Sequence, residues 1–384
     1  MLRPACALAA TLLASPALAD PAAFAPFATL DTGRGPVDVS THADGLVHPW
    51  ALAFLPDGGA LVTERPGPLR HVGPDGALSE PIEGVPEVDS RDQGGLLDVA
   101  LDPDFGENRL VYLSYARPAG GGQNSTAVAR GRLSDDGRRL EAVEEIFVQE
   151  PRLPETRHFG SRLVFDGEGH LYVALGERFT EEFRRMAQDL STTLGKVVRI
   201  GHDGSLPDAN PFVGREDALA SIFSYGHRNP QAAAMNPDTG ELWVIEHGPK
   251  GGDEVNVVRP GANYGWPLVS HGVNYDGTEV GTGEATMEGA VEPVLTWTPV
   301  IAPSGMVFYD GEMFPEWRGD ILVGGLVARG IVRVRPDGGA TEEVERIGTS
   351  LNRRIRDVAV GPDGAVFVLT DHEDGAILRL SATD

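Results

Sequence analysis

The sequence has one cysteine, and Cys6 lies within the first few residues. A disulfide framework and a thiolate metal centre are therefore both excluded from the body of the protein. Lysine is almost as scarce: of the 32 basic residues only Lys196 and Lys250 are not arginine, and they face 57 acidic residues for a formal charge of −25. A surface so short of positive charge is a poor match for nucleic acid. Past the N-terminal stretch no apolar run approaches the ~20 residues that cross a bilayer, so no membrane span is expected in the mature chain. Also missing are a G-x-G-x-x-G after a strand, a P-loop, a G-x-S-x-G elbow and an H-E-x-x-H pair. Nicotinamide binding, phosphoryl transfer, serine hydrolysis and zinc proteolysis lack their local signatures.

What is abundant is turn chemistry: 49 glycines and 29 prolines make about a fifth of the 384 residues. That content disfavours long helices and favours a turn-rich β architecture. The N-terminus reads as an export signal, with basic Arg3, a small apolar stretch and an A-x-A site at Ala17-Leu18-Ala19. Cleavage after Ala19 divides the chain into a signal peptide, 1–19, and a single domain, 20–384, in the periplasm or secreted. The apolar run is too short, and broken by Pro16, to serve as a retained anchor. Cys6 falls too early within it for lipid attachment.

One pattern recurs six times: an apolar strand, a Pro/Asp/Gly turn, then a second apolar strand. The copies are 51–64, 98–115, 162–177, 232–248, 306–325 and 357–371. Asp-Gly and Asp-x-Gly supply the positive-φ positions that tight hairpins demand. An isolated hairpin is marginally stable, and successive copies leave room for two further strands, the content of a propeller blade. The expectation is an all-β, six-bladed β-propeller of four-stranded antiparallel blades. A β-sandwich explains alternating strands but not the same turn six times. The exception is 179–196, where Phe183, Met186 and Leu190 at helical spacing predict a short helical insertion on the loop face that carries function.

Four segments between these repeats carry polar chemistry. His158 stands just before one hairpin and Glu177 at its end; a carboxylate on one imidazole nitrogen leaves the other free to take a proton. A purely structural pair is the alternative. Arg228 and Asn229 precede Pro230 in an extended segment that can present both side chains to one ligand, or leave Arg228 paired with a surface carboxylate. In EHGPKGGDEVN, the carbonyls of Gly248 and Pro249 can serve a Ca²⁺ ion, with Asp253 and Glu254 shaping the loop or holding a second ion. An ordinary Gly-rich turn with a solvated acidic pair reads as well. Arg354 and Arg356 alternate on one strand face and suggest an anionic ligand, because guanidinium forks bind carboxylates.

Eight motifs in order, HPWALAFLPDG, QGGLLDVALDPDF, HFGSRLVF, LGKVVRI, SYGHRNPQ, GPKGGDEVN with GANYGWP, APSGMVFYDG and RIRDVAVGPDG, cover roughly residues 35–380. The chain in these motifs resembles the soluble pyrroloquinoline-quinone (PQQ)-dependent sugar dehydrogenases, the glucose/sorbosone dehydrogenase family, and most of all its bacterial aldose dehydrogenase branch. The resemblance implies a six-bladed propeller, PQQ and Ca²⁺ as cofactors, and an aldose as substrate. It makes His158 the catalytic base, Gln93 a polar contact at the cofactor, and Arg228 and Asn229 residues over the quinone. Gly248 and Pro249 become donors to the cofactor-bound Ca²⁺, and Arg354 and Arg356 the grip on its carboxylates. Two positions depart from the pattern: Glu177 stands where the family has an aspartate, and Arg329 is the nearest cation to a position commonly lysine.

The implied reaction is oxidation at the anomeric carbon to an aldonolactone, with His158 taking the C1 hydroxyl proton and Arg228 and Ca²⁺ stabilising developing charge. A Ca²⁺-dependent lactonase or esterase and a non-catalytic binding propeller are the alternatives, since fold alone does not choose. Export places the electron acceptor among membrane quinones or periplasmic cytochromes, and monomer and homodimer are both compatible with the sequence.

Overall fold

Each of the six sequence repeats forms the inner hairpin of one antiparallel sheet in a computed structural model that describes residues 24–337 and 340–383. The export signal predicted over 1–19, with Cys6, lies outside the described residues. The innermost strands are Pro49–Phe54, Leu96–Leu101, Gly160–Phe165, Pro230–Met235, Pro303–Phe308 and Ile355–Val360, and each touches its neighbours around a ring. The protein is thus a six-bladed β-propeller. Blades 2 to 5 have four strands; blade 1 has three, and blade 6 has five. The expectation of four strands throughout is corrected at this junction. The strand Gly35–Leu46 pairs antiparallel with Gly375–Ala382, so the first part of the chain completes the last blade and fastens the ring where a free edge would otherwise remain.

The apolar faces of the repeats meet between blades rather than in one central core. One cluster joins Trp50, Leu61 and Leu69 of blade 1 to Leu96 and Val111 of blade 2, and equivalent clusters lie at each of the other five blade junctions. With each fully buried aliphatic side chain contributing ~1.5–3 kcal/mol, this packing replaces the missing disulfides.

Three of the inner strands bring charged side chains together. Buried Arg162 of blade 3 places Nη1 3.1 Å from Asp98 Oδ1 of blade 2 and 3.2 Å from Asp357 Oδ1 of blade 6. The other oxygens of those carboxylates accept the Leu163 and Leu52 amides. Gly305 of blade 5 has no side chain because a Cβ there would collide with Asp357.

The insertion predicted over 179–196 is shorter than expected. An α-helix, Glu181–Arg184, capped by Thr180 accepting the Phe183 amide, runs into a 3₁₀ turn, Arg185–Gln188. Phe183, Met186 and Leu190 are only partly buried, and Ala187 is the residue that packs inward. Tertiary bonds hold so short a helix: Lys196 Nζ donates to the carbonyls of Met186, Ala187 and Leu194.

Candidate active site

The chain turns sharply before each inner strand, and polar residues collect at that end of the ring. His158 has a left-handed φ of 53° and its amide donates to Gln93 Oε1 at 2.9 Å. Its Nδ1 lies 2.7 Å from Glu177 Oε2, which also accepts the Phe179 amide at 2.7 Å. The hairpin brings these residues together because Gly176 passes against the His158 carbonyl, where a Cβ would collide. Both side chains are buried, yet Nε2 of His158 makes no hydrogen bond among the described residues and keeps access to open space.

Burial pushes the imidazole below its ordinary pKa and outweighs the opposing pull of Glu177. Burial pushes the Glu177 carboxyl up, but the His158 charge and hydrogen bond, Arg228 and the Phe179 amide leave it below the usual range. A neutral imidazole with Nδ1–H on an ionised carboxylate and a lone pair on Nε2 is the outcome.

Arg228 belongs to the same network. Its carbonyl accepts the Glu177 amide, and its amide donates to Glu246 Oε2 at 2.5 Å. Nη1 donates to the carbonyls of His247 and Gly248, at 2.9 and 2.8 Å, while Nε is buried without a partner among the described residues. Asn229 Oδ1 accepts the Gly160 amide.

Beside this network is a polar hollow of about 280 Å³, lined among others by Trp50, Gln93, Asn229, Arg354, Arg356 and Asp371. Arg356 donates to Asp371 Oδ2 at 2.7 Å and Arg354 to the same oxygen at 3.5 Å, while His48 Nδ1 lies 2.9 Å from Oδ1. Burial raises the Asp371 carboxyl, and the neighbouring arginines and His48 hold it far below the ordinary range instead. The Nε of Arg356 is buried and has no partner among the described residues. Hollow and arginines suit an anionic guest.

A second, much smaller hollow of about 10 Å³ adjoins it, lined by Arg228, Gly248, Pro249, Glu246, Glu254 and Tyr264 among others. Asp253 is held by three amides: Oδ1 accepts that of Gly248 and Oδ2 those of Ile301 and Ala302, all at 2.8 Å. It braces the loop, the first of its two predicted roles. Glu254 is different. Burial and the adjacent Glu246 push its carboxyl up to about 8, and Asn256, which bridges both glutamates through Nδ2, leaves its Oδ1 buried and without a partner among the described residues. Paired carboxylates, an unused amide oxygen and main-chain carbonyls form a donor set suited to a hard divalent cation. Arg329 is exposed and bonds Asn352, away from the residues lining the two hollows; the structure does not bring it to the site.

Sequence reasoning missed His247, Asp371, His48 and a second imidazole pair. His227 Nδ1 lies 2.9 Å from Glu246 Oε1 and its Nε2 2.8 Å from Ser224 Oγ, a serine–histidine–carboxylate chain sealed beneath the Tyr264 ring. The signal was present: acidic residues end the inner hairpins of blades 1, 3, 4 and 6 at Glu64, Glu177, Glu246 and Asp371.

Three comparisons bear on this arrangement. The sequence profile described as Glucose / Sorbosone dehydrogenase matches residues 46–379. Over 347 residues the chain is 46% identical to the aldose sugar dehydrogenase YliI of Escherichia coli (strain K12), covering 90% of this chain and 93% of that protein. The crystal structure of the soluble aldose sugar dehydrogenase from Escherichia coli in the apo form superposes with a TM-score of 0.88 at 46% identity, covering 90% of this chain and all of that one (100%). The PQQ-bound aldose sugar dehydrogenase of Streptomyces coelicolor superposes with a TM-score of 0.73 at 28% identity, covering 93% and 99% of the two chains.

Proposed function

This chain belongs to the glucose/sorbosone dehydrogenase family, and from that premise we propose that it oxidises aldoses at C1 to aldonolactones with PQQ and Ca²⁺. The observation that carries the reading is the open Nε2 of a neutral imidazole, backed by a buried carboxylate, beside a polar hollow that holds two arginines. PQQ has three carboxylates. Arg354 and Arg356 are the groups to hold them, and Gln93 and Asn229 the neutral contacts. The carbonyls of Gly248 and Pro249, with Glu254 behind them, are the donors for Ca²⁺.

When bound, the Ca²⁺-polarised quinone supplies the two-electron acceptor for hydride leaving C1. The chain supplies the proton chemistry and the positioning. His158 Nε2 takes the C1 hydroxyl proton, and Glu177 fixes the tautomer and stabilises the imidazolium that results. Arg228, tied by backbone and side chain to the segment carrying Gly248, sets a fixed positive charge next to the reacting atoms.

The Ser224–His227–Glu246 chain offers no serine nucleophile, because Ser224 and His227 are fully buried; the Ca²⁺-dependent lactonase or esterase alternative is separated by experiment. The deciding experiment incubates apoprotein with PQQ and Ca²⁺ and follows reduction of an artificial dye by aldoses. Dye reduction dependent on both cofactors is expected; lactone hydrolysis without quinone, or no quinone binding, overturns the reading. An exported location, near membrane quinones or cytochromes as acceptors, belongs to the same proposal. No helix among the described residues is long and apolar enough to cross a membrane.

A further inference from the structure

One imidazole stands in the wall between the two hollows. His247 lines both the larger polar cavity and the smaller one beneath Gly248 and Pro249. Its Nε2 lies 2.6 Å from the Pro303 carbonyl of the next blade. A carbonyl only accepts, so Nε2 carries the hydrogen and Nδ1 carries the lone pair. The main chain holds the residue on both sides, its amide donating to the Asn229 carbonyl and its own carbonyl accepting from Arg228. Nδ1 has no partner among the described residues and is not sealed from open space. A lone pair held in place, on a residue that lines a cavity shared with Arg65, Arg354 and Arg356, is a selective feature: it rewards a guest that brings its own N–H or O–H.

We propose that His247 is a further ligand-binding residue of this pocket, whose Nδ1 accepts a hydrogen bond from the pyrrole N–H of the bound quinone. This rests on the reading that the pocket takes PQQ. With its carboxyls ionised, that molecule has many acceptors and a single N–H. The arginines recognise the carboxylates, and His247 recognises the donor, so charge and orientation are read by different residues.

The test uses the full chain labelled with ¹⁵N-histidine, in the presence of Ca²⁺, titrated with PQQ. The His247 resonances are assigned by their loss in H247Q. Binding is followed in parallel by quenching of tryptophan fluorescence, since Trp50 lines the cavity. The Nδ1 resonance is expected to move upfield toward the hydrogen-bonded range while the Nε2–H resonance holds. H247L is expected to weaken binding about tenfold, the scale of one hydrogen bond, equally at low and high salt, with H247Q regaining most of the loss through its amide oxygen. An unmoved Nδ1 at saturation in the wild-type protein overturns the proposal even if H247L does not fold. So does a salt-dependent loss in H247L, which assigns the effect to charge. Failure of the wild-type chain to bind PQQ at all overturns instead the reading beneath it.

Discussion

His158 Nδ1 and Glu177 Oε2 stand 2.7 Å apart, 19 residues from each other in sequence, and the same spacing recurs in the next blade between His227 and Glu246. The two pairs differ in register: Glu246 faces Pro230 at the end of its hairpin, whereas Glu177 lies two residues beyond Leu175, which faces Gly160. One keeps a free imidazole nitrogen beside the hollow; the other gives its second nitrogen to Ser224.

Replacing the open pair tests the proposed chemistry. H158A is expected to lower turnover by about 10²–10⁴ while PQQ still binds. H227A is expected to act on stability and on cofactor affinity through Glu246, not on the chemical step. Rapid-mixing turnover of protein preloaded with cofactor separates the two; near-normal turnover in H158A rejects the base assignment.

Acid should slow the enzyme from a point below the ordinary histidine range. Because burial lowers the His158 pKa beneath 6.5, the imidazole is neutral and basic at pH 7, and the rate falls only as pH drops through the lowered value. Glu177 opposes that lowering. E177Q removes the opposing charge, so its acid limb in kcat/KM moves to still lower pH, with a smaller loss of turnover than H158A. A limb that moves upward contradicts the pairing.

The arginine pair should govern cofactor affinity. R356A and R354A each remove charge-assisted bonds of ~1.5–3 kcal/mol, weakening PQQ binding by roughly 10- to 100-fold, with a shallower dependence on salt. R329A, directed at a residue outside the hollows, is expected to bind as the wild type does. Fluorescence titration at two ionic strengths checks all three.

Calcium affinity should rise with pH. Glu254, pushed up to about 8 by burial and by Glu246, holds a proton at neutrality that a cation must displace. Calorimetric titration of the chelator-stripped protein is expected to give tighter binding and fewer protons released at pH 8.5 than at 6.5, and E254Q to abolish that difference. Equal affinity at both pH values argues against a carboxylate donor.

The axial triad should appear in stability rather than in activity. R162M leaves Asp98 and Asp357 buried without a cation, at a cost of about 3–5 kcal/mol. Burial already raises Asp98 to about 6 in the folded protein, above its unfolded value. Its contribution is therefore fully present in acid and lost as pH rises through about 6. Without Arg162 that loss grows, so the gap in Tm between R162M and wild type should widen from pH 5 to pH 8.

Much of the fold was legible because hairpin chemistry is local. Asp and Gly at each turn and alternating apolar residues specify the six inner hairpins from neighbours in sequence alone, and all six formed where expected. The outer strands were less legible. Blade 6 borrows Gly35–Leu46 from the far end of the chain, a pairing that no local pattern announces. The insertion was read as longer than it is because its apolar spacing continues past the point where the Lys196 cradle ends the helical turns.

The sequence by itself determined the repeating unit and, with it, which residues stand at the ends of inner strands: the histidines, the carboxylates 19 residues on, and the arginines of the last blade. Only the tertiary structure decided what each of them meets. Asp371 gathers Arg354, Arg356 and His48 from two blades; Asp253 accepts three amides; Arg329 is left outside. Two imidazole–carboxylate pairs of identical spacing became one open base and one sealed brace, because access is set by the rings and loops packed over a residue, and those come from distant parts of the chain.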